Sequence, residues 1–150
     1  MFKFRHQSAD PFYSDYNDGD LIRLPLIKPY VAEQLVKKTG WMIRLFISPN
    51  ENGIPSYIDI FYPEKVSIEN NVIMVYTTYK PEYLQTLGEK SFYWFVLLPE
   101  EKRETGFDNK TDFLNFIKKY GIDSPNWQDI DSAFQQFQVT GCLSWIPDCK

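Results

Sequence analysis

A chain of 150 residues suits one domain with its own core, and 43% apolar with 24% charged residues excludes a disordered segment. A net charge of −4 removes the basic footprint that non-specific nucleic-acid binding needs. No run of about 18 apolar residues occurs, so no helix is expected to span a membrane.

The first 20 residues, MFKFRHQSADPFYSDYNDGD, lack the apolar stretch of a secretory signal and turn acidic. They predict a loop-like arm on a cytoplasmic protein. Asp15, Asp18 and Asp20 make that arm a candidate contact for a basic partner. A calcium loop does not fit, because setting Gly19 at the sixth position puts Tyr16 and Pro25 where oxygen ligands belong. His6 is the chain's only histidine and reads as a surface residue near a mobile terminus.

Ile22, Leu24 and Leu26 alternate as in a strand, and Pro25 puts that strand at an edge or a bulge. Residues 28–40 fit either a short helix or part of a long hairpin, in which PLIKPYVAEQLV turns at KKTG and returns as WMIRLFI; the plainly β pattern that follows favours the hairpin. WMIRLFIS (41–48) and SYIDIFY (56–62) read as strands around a turn cluster. KVSIENNVIMVYTTY (65–79) reads as two strands about Asn70 and Asn71, since asparagine tolerates the left-handed backbone of a tight turn. SFYWFVLLP (91–99) is apolar on both faces, as a covered central strand is. PEEKRETGF (99–107) reads as a solvated connection.

The period then changes. Phe113, Phe116, Ile117 and Tyr120 form a helical stripe, with Asn109 as N-cap and Gly121 as stop. Trp127, Ile130, Phe134 and Phe137 repeat it, with Ser124 or Asn126 as cap. Strands before helices predict an α+β domain over residues 1–150: a mostly antiparallel sheet of about six strands, with two C-terminal helices packed on one face.

Cys142 and Cys149 are spaced C-x6-C. That spacing matches neither a zinc knuckle nor a C-x-x-C redox site, so no metal or cofactor is expected; a small disulfide loop can close sterically, but the cytoplasm favours reduced free thiols. Between them, Trp145 either packs the tail onto the core or joins a partner-binding surface.

Phosphate-binding, nucleophile-elbow and zinc-protease motifs are absent. The expectation is a non-catalytic cytoplasmic binding protein that works through a protein–protein interface, in its concrete form an immunity-type inhibitor of a basic toxin. The alternatives are a small hydrolase whose Asp59, Glu64 and Glu69 converge, or a small-ligand or carbohydrate module. The 12 Phe, 10 Tyr and 4 Trp would give the module its stacking platforms.

Overall fold

The computed structural model describes residues 5–35, 40–47, 59–80, 82 and 91–149. The class is α+β, with antiparallel pairing throughout. The strands are shorter and more numerous than the alternation suggested, and they divide between two sheets. The first sheet runs in chain order: β1 (Asn17–Asp18), β2 (Leu21–Pro25), β3 (Val31–Leu35), β4 (Met42–Ile43) and β5 (Ile60–Phe61). The second contains β6 (Lys65–Glu69), β7 (Val72–Tyr76), β8 (Trp94–Leu98), β9 (Arg103–Phe107) and the short β10 (Gln128–Asp129), in the order β10-β6-β7-β8-β9.

Residues 31–35 form a strand, and β3 meets β4 at Ala32–Ile43 and Glu33–Met42 as the long hairpin requires, although most of its turn, residues 36–39, lies outside the described residues. The single arm expected from Pro25 onward is instead broken, because β3 turns back and pairs along all of β2. β1 covers only Leu21 and Ile22, so Pro25 lies on an open edge where its missing N–H costs nothing. The Asn70–Asn71 turn is left-handed at both residues, with φ of 52° and 62°. The 99–107 segment is not a solvated connection: after a turn at Lys102 it forms β9, with Glu104 buried. Strand SYIDIFY survives as β5; its residues 56–58 lie outside the described residues.

The two faces of the second sheet separate by residue parity. Val72, Met74, Val96 and Leu98 face α1 (Lys110–Lys118), whose Phe113, Phe116 and Ile117 complete one core. Ile73, Val75, Phe95 and Leu97 face the first sheet and α2 (Ile130–Thr140), meeting Leu24, Ala32, Ile43, Ile130 and Phe137 in the larger core. The helices therefore pack on opposite faces of the second sheet, not on one. Each such fully buried side chain contributes about 1.5–3 kcal/mol.

Asn109 caps α1 as expected, accepting from the Asp112 amide at 3.1 Å. The second helix starts later than its stripe implied. Asp129, not Ser124 or Asn126, caps it, accepting from the Ser132 amide at 3.0 Å. The Asn126 amide is taken by Ser67 Oγ, and Gln128 pairs with Val66. Trp127 consequently precedes the helix and stacks on Phe113 in the smaller core. The edge strand β10 is where the chain passes from one face of the sheet to the other.

The N-terminal arm is docked rather than solvated. Asp10 caps a 3-10 turn (Pro11–Tyr13), and the hydrogen bond from the Phe12 amide, with Lys28 nearby, holds its carboxyl below the usual range. Tyr13 is buried, and its hydroxyl accepts from the Lys28 amide at 2.9 Å. The Arg5 guanidinium lies 4.8 Å from the centres of both the Tyr16 and Phe137 rings.

Candidate functional site

Tyr62, Pro63 and Glu64 turn the chain from β5 of the first sheet into β6 of the second. Tyr62 has φ of +53°, a conformation that a bulky side chain rarely adopts. Hydrogen bonds hold it there. Its amide donates to the Trp41 carbonyl at 2.9 Å. The buried Thr77 hydroxyl lies 3.1 Å from the Tyr62 carbonyl and 3.2 Å from that of Phe61. The same hydroxyl accepts from the Tyr79 amide at 3.1 Å.

The Tyr62 ring is thereby raised at the surface, 48% exposed. It meets the Tyr79 ring edge-to-face at 4.7 Å, and Tyr79 in turn meets Phe61. On its other side it lies on Gly40, where any Cβ would collide with the ring. Below the ridge, buried Trp41 packs near Phe134 and donates from Nε1 to Asp131 at 2.7 Å.

A cleft of about 430 Å³ opens on each side of the ridge. Gly40, Trp41 and Tyr62 line both. One is walled by Glu33, Met42 and Arg44, the other by Glu64, Lys65, Asp129 and Asp131. Four carboxylates thus stand against two bases. Asp129 caps α2, Asp131 accepts from Trp41, and Glu64 accepts from Thr78 at 3.1 Å. Among the described residues, no cation comes within ion-pair distance of these four acids; the ion pair found is Lys28 with Asp10. They give the ridge an excess of negative charge.

The residues expected from the sequence are not gathered here. Asp15 and Asp20 are exposed on the arm, and Asp18 lies in β1. Asp15 lines a separate cleft with Phe12 and Arg23. Trp145 is half-buried against the larger core and donates from Nε1 to the Pro25 carbonyl at 2.9 Å, which fits a packed tail. Among the clefts of the described residues, none is lined by all of Asp59, Glu64 and Glu69: Asp59 accepts from the Leu45 amide, Glu64 borders the ridge, and Glu69 lines a cleft beside Trp145.

Tyr62 escaped the sequence reading because it sat in a strand pattern. The one signal is the Tyr62–Pro63 pair, since a residue before proline is normally held extended. Left-handed geometry there cannot be inferred without the contacts from Trp41 and Thr77.

The cysteine expectation is corrected outright. Cys142 and Cys149 form a disulfide, and neither is free. Their short separation in sequence permitted the ring; the segment Gly141–Cys149 turns tightly enough to close it, with Ile146 and Cys149 amides bonded back to Leu143 and Ile146 carbonyls. His6 is also not a free surface residue. Its amide donates to the Thr140 carbonyl at 2.9 Å, and its Nε2 is buried without a hydrogen-bond partner. A ring nitrogen of His6 and both cysteine sulfurs lie within 4.8 Å of one another.

No family model, curated protein or solved structure matches this chain. The ridge presents exposed aromatic rings, two concave flanks and, among the described residues, carboxylates without an ion-pair partner.

Proposed function

We propose that this chain is a non-catalytic cytoplasmic binding protein that acts through a protein–protein interface centred on Tyr62, with a basic protein surface as its partner. The observation that carries the reading is the backbone of Tyr62. Holding such a residue in the left-handed region costs about 1–3 kcal/mol, and the cost recurs where function needs the geometry. Here the strain raises a tyrosine, a favoured interface anchor, between two clefts. The acidic excess around it selects a cationic partner and speeds encounter. An immunity-type inhibitor that covers the basic active site of a toxin uses both features, with Asp15 and Asp20 adding to the long-range field.

The alternatives draw less support. Among the described residues, the three acids of the hydrolase reading line no common cleft. Tyr62 and Tyr79 meet at 73°, so they form no coplanar platform for a sugar ring.

Hydroxyl-radical footprinting of the complex isolated from the native host tests the reading. Tyr62 and Tyr79 should become protected while Tyr76 and Trp127 stay unchanged. Protection confined to the 15–20 arm or to Trp145 would move the interface away from the ridge. The complex should also weaken steeply with added salt.

A further inference from the structure

We propose that Cys142, Cys149 and His6 form a redox-gated zinc site: closed when the cysteines are joined, and a Cys2His ligand set when they are reduced.

The three residues come from opposite ends of the chain, and the fold brings them together for stated reasons. Gly141 ends α2 with φ of +73°, and its amide donates to the Phe137 carbonyl at 2.7 Å. A Cβ at Gly141 would run into the His6 carbonyl, so only glycine lets the arm lie against the helix end. The Thr140 carbonyl holds the His6 amide, and the Thr140 hydroxyl accepts from the Cys142 amide at 3.0 Å. These contacts run through backbone groups and the Thr140 hydroxyl, and none of them uses a cysteine sulfur.

Two independent observations point to a ligand. The donor atoms lie within 4.8 Å of one another, and the ligands of a tetrahedral zinc are about 3.5 Å apart. The Cα atoms of the two cysteines are 5.4 Å apart, so rotation of their side chains can part the reduced sulfurs to that spacing. Second, His6 Nε2 is buried without a hydrogen-bond partner, a costly state that coordination through that nitrogen would relieve. Two thiolates and an imidazole suit a d10 ion such as zinc, with water in the fourth position.

The chemistry balances. A dithiol, or two monothiols, supplies two electrons and two protons and leaves as a disulfide. The Cys142–Cys149 bond breaks and two thiols form. Zinc then displaces both thiol protons to solvent, and neutral His6 gives its lone pair. Both cysteines are partly exposed, so a thiol reductant can reach them. Cytoplasmic thiols would favour the open state.

The test is a cobalt titration of the full-length protein, reduced with a phosphine or left oxidised, under anaerobic conditions. The reduced protein should develop a thiolate-to-cobalt absorption that saturates at one equivalent and is lost when zinc is added. The oxidised protein should show none. His6→Gln, which keeps the backbone clasp, and His6→Ala should each weaken binding by at least about tenfold. Absence of a saturable band in the reduced protein, equal binding by the oxidised protein, or unchanged affinity in both His6 variants would overturn the proposal.

Discussion

The Tyr30 hydroxyl donates to Glu104 Oε2 at 2.6 Å, joining two residues 74 positions apart in the chain. Tyr30 lies in the turn between β2 and β3 of the first sheet, and Glu104 lies in β9 of the second. The same carboxylate accepts from the amides of Phe46 at 2.8 Å and Ile47 at 3.0 Å, just beyond β4. One buried acid therefore ties the first sheet to the far strand of the second. A buried carboxylate is costly unless hydrogen-bonded, and these contacts offset that cost.

Glu104→Ala leaves the Tyr30 hydroxyl and two backbone amides without this acceptor. The expected loss is about 3–5 kcal/mol. Tyr30→Phe removes one charge-assisted bond and should cost about 1.5–3 kcal/mol. Urea unfolding reads both, as a lower midpoint at unchanged slope. A Glu104→Ala variant as stable as the parent would show that the carboxylate does not join the sheets.

Burial, and then the Glu104 carboxylate, push the Tyr30 hydroxyl above its ordinary value of 10.0. In the unfolded chain this phenol ionises near pH 10, whereas in the folded protein it stays protonated. Its contribution to stability is whole below about pH 10 and is lost as pH rises from there toward the folded value. Stability should fall with pH above about 10, and more gently in Tyr30→Phe. Parallel falls in the two proteins would remove Tyr30 as the cause.

At the ridge, Tyr62→Gly and Tyr62→Ala separate strain from contact. Glycine accepts φ of +53° freely, so Tyr62→Gly should be more stable than Tyr62→Ala by about 1 kcal/mol. Thermal unfolding gives the comparison. Gly40→Ala should destabilise by about 1–3 kcal/mol, since φ at residue 40 is +94° and the new methyl displaces the Tyr62 ring. Equal stability of the two Tyr62 variants would mean that the left-handed backbone stores no strain.

Gly141→Ala should release the N-terminal arm. The left-handed position costs about 1–2 kcal/mol, and the methyl meets the His6 carbonyl. Trypsin should cut after Arg5 faster in the variant. An unchanged cleavage rate would show that the close approach at Gly141 does not hold the arm.

Much of this fold was legible because the signals were local. The Asn70–Asn71 turn, the both-face apolar β8 and the capped α1 each follow from a few adjacent residues. The partition into two sheets was not legible, because alternation places a residue on a face but does not say which strand lies beside it. The start of α2 was misplaced for a related reason: Trp127 shares the helical spacing of Ile130 and Phe134, yet it packs on the other side of the sheet. The ridge depends on Trp41, Tyr62, Thr77 and Tyr79, and the His6–cysteine cluster spans nearly the whole chain. Such meetings are set by tertiary contacts, which single-residue patterns do not carry.

If Tyr62 anchors a basic protein partner, native mass spectrometry of the parent and Tyr62→Gly proteins, each isolated from the native host at low salt, should separate the two. The parent should appear as a one-to-one complex with a basic protein and the variant as an uncomplexed chain, with the variant still folded. An uncomplexed parent, or the same complex in both, would contradict that role for Tyr62.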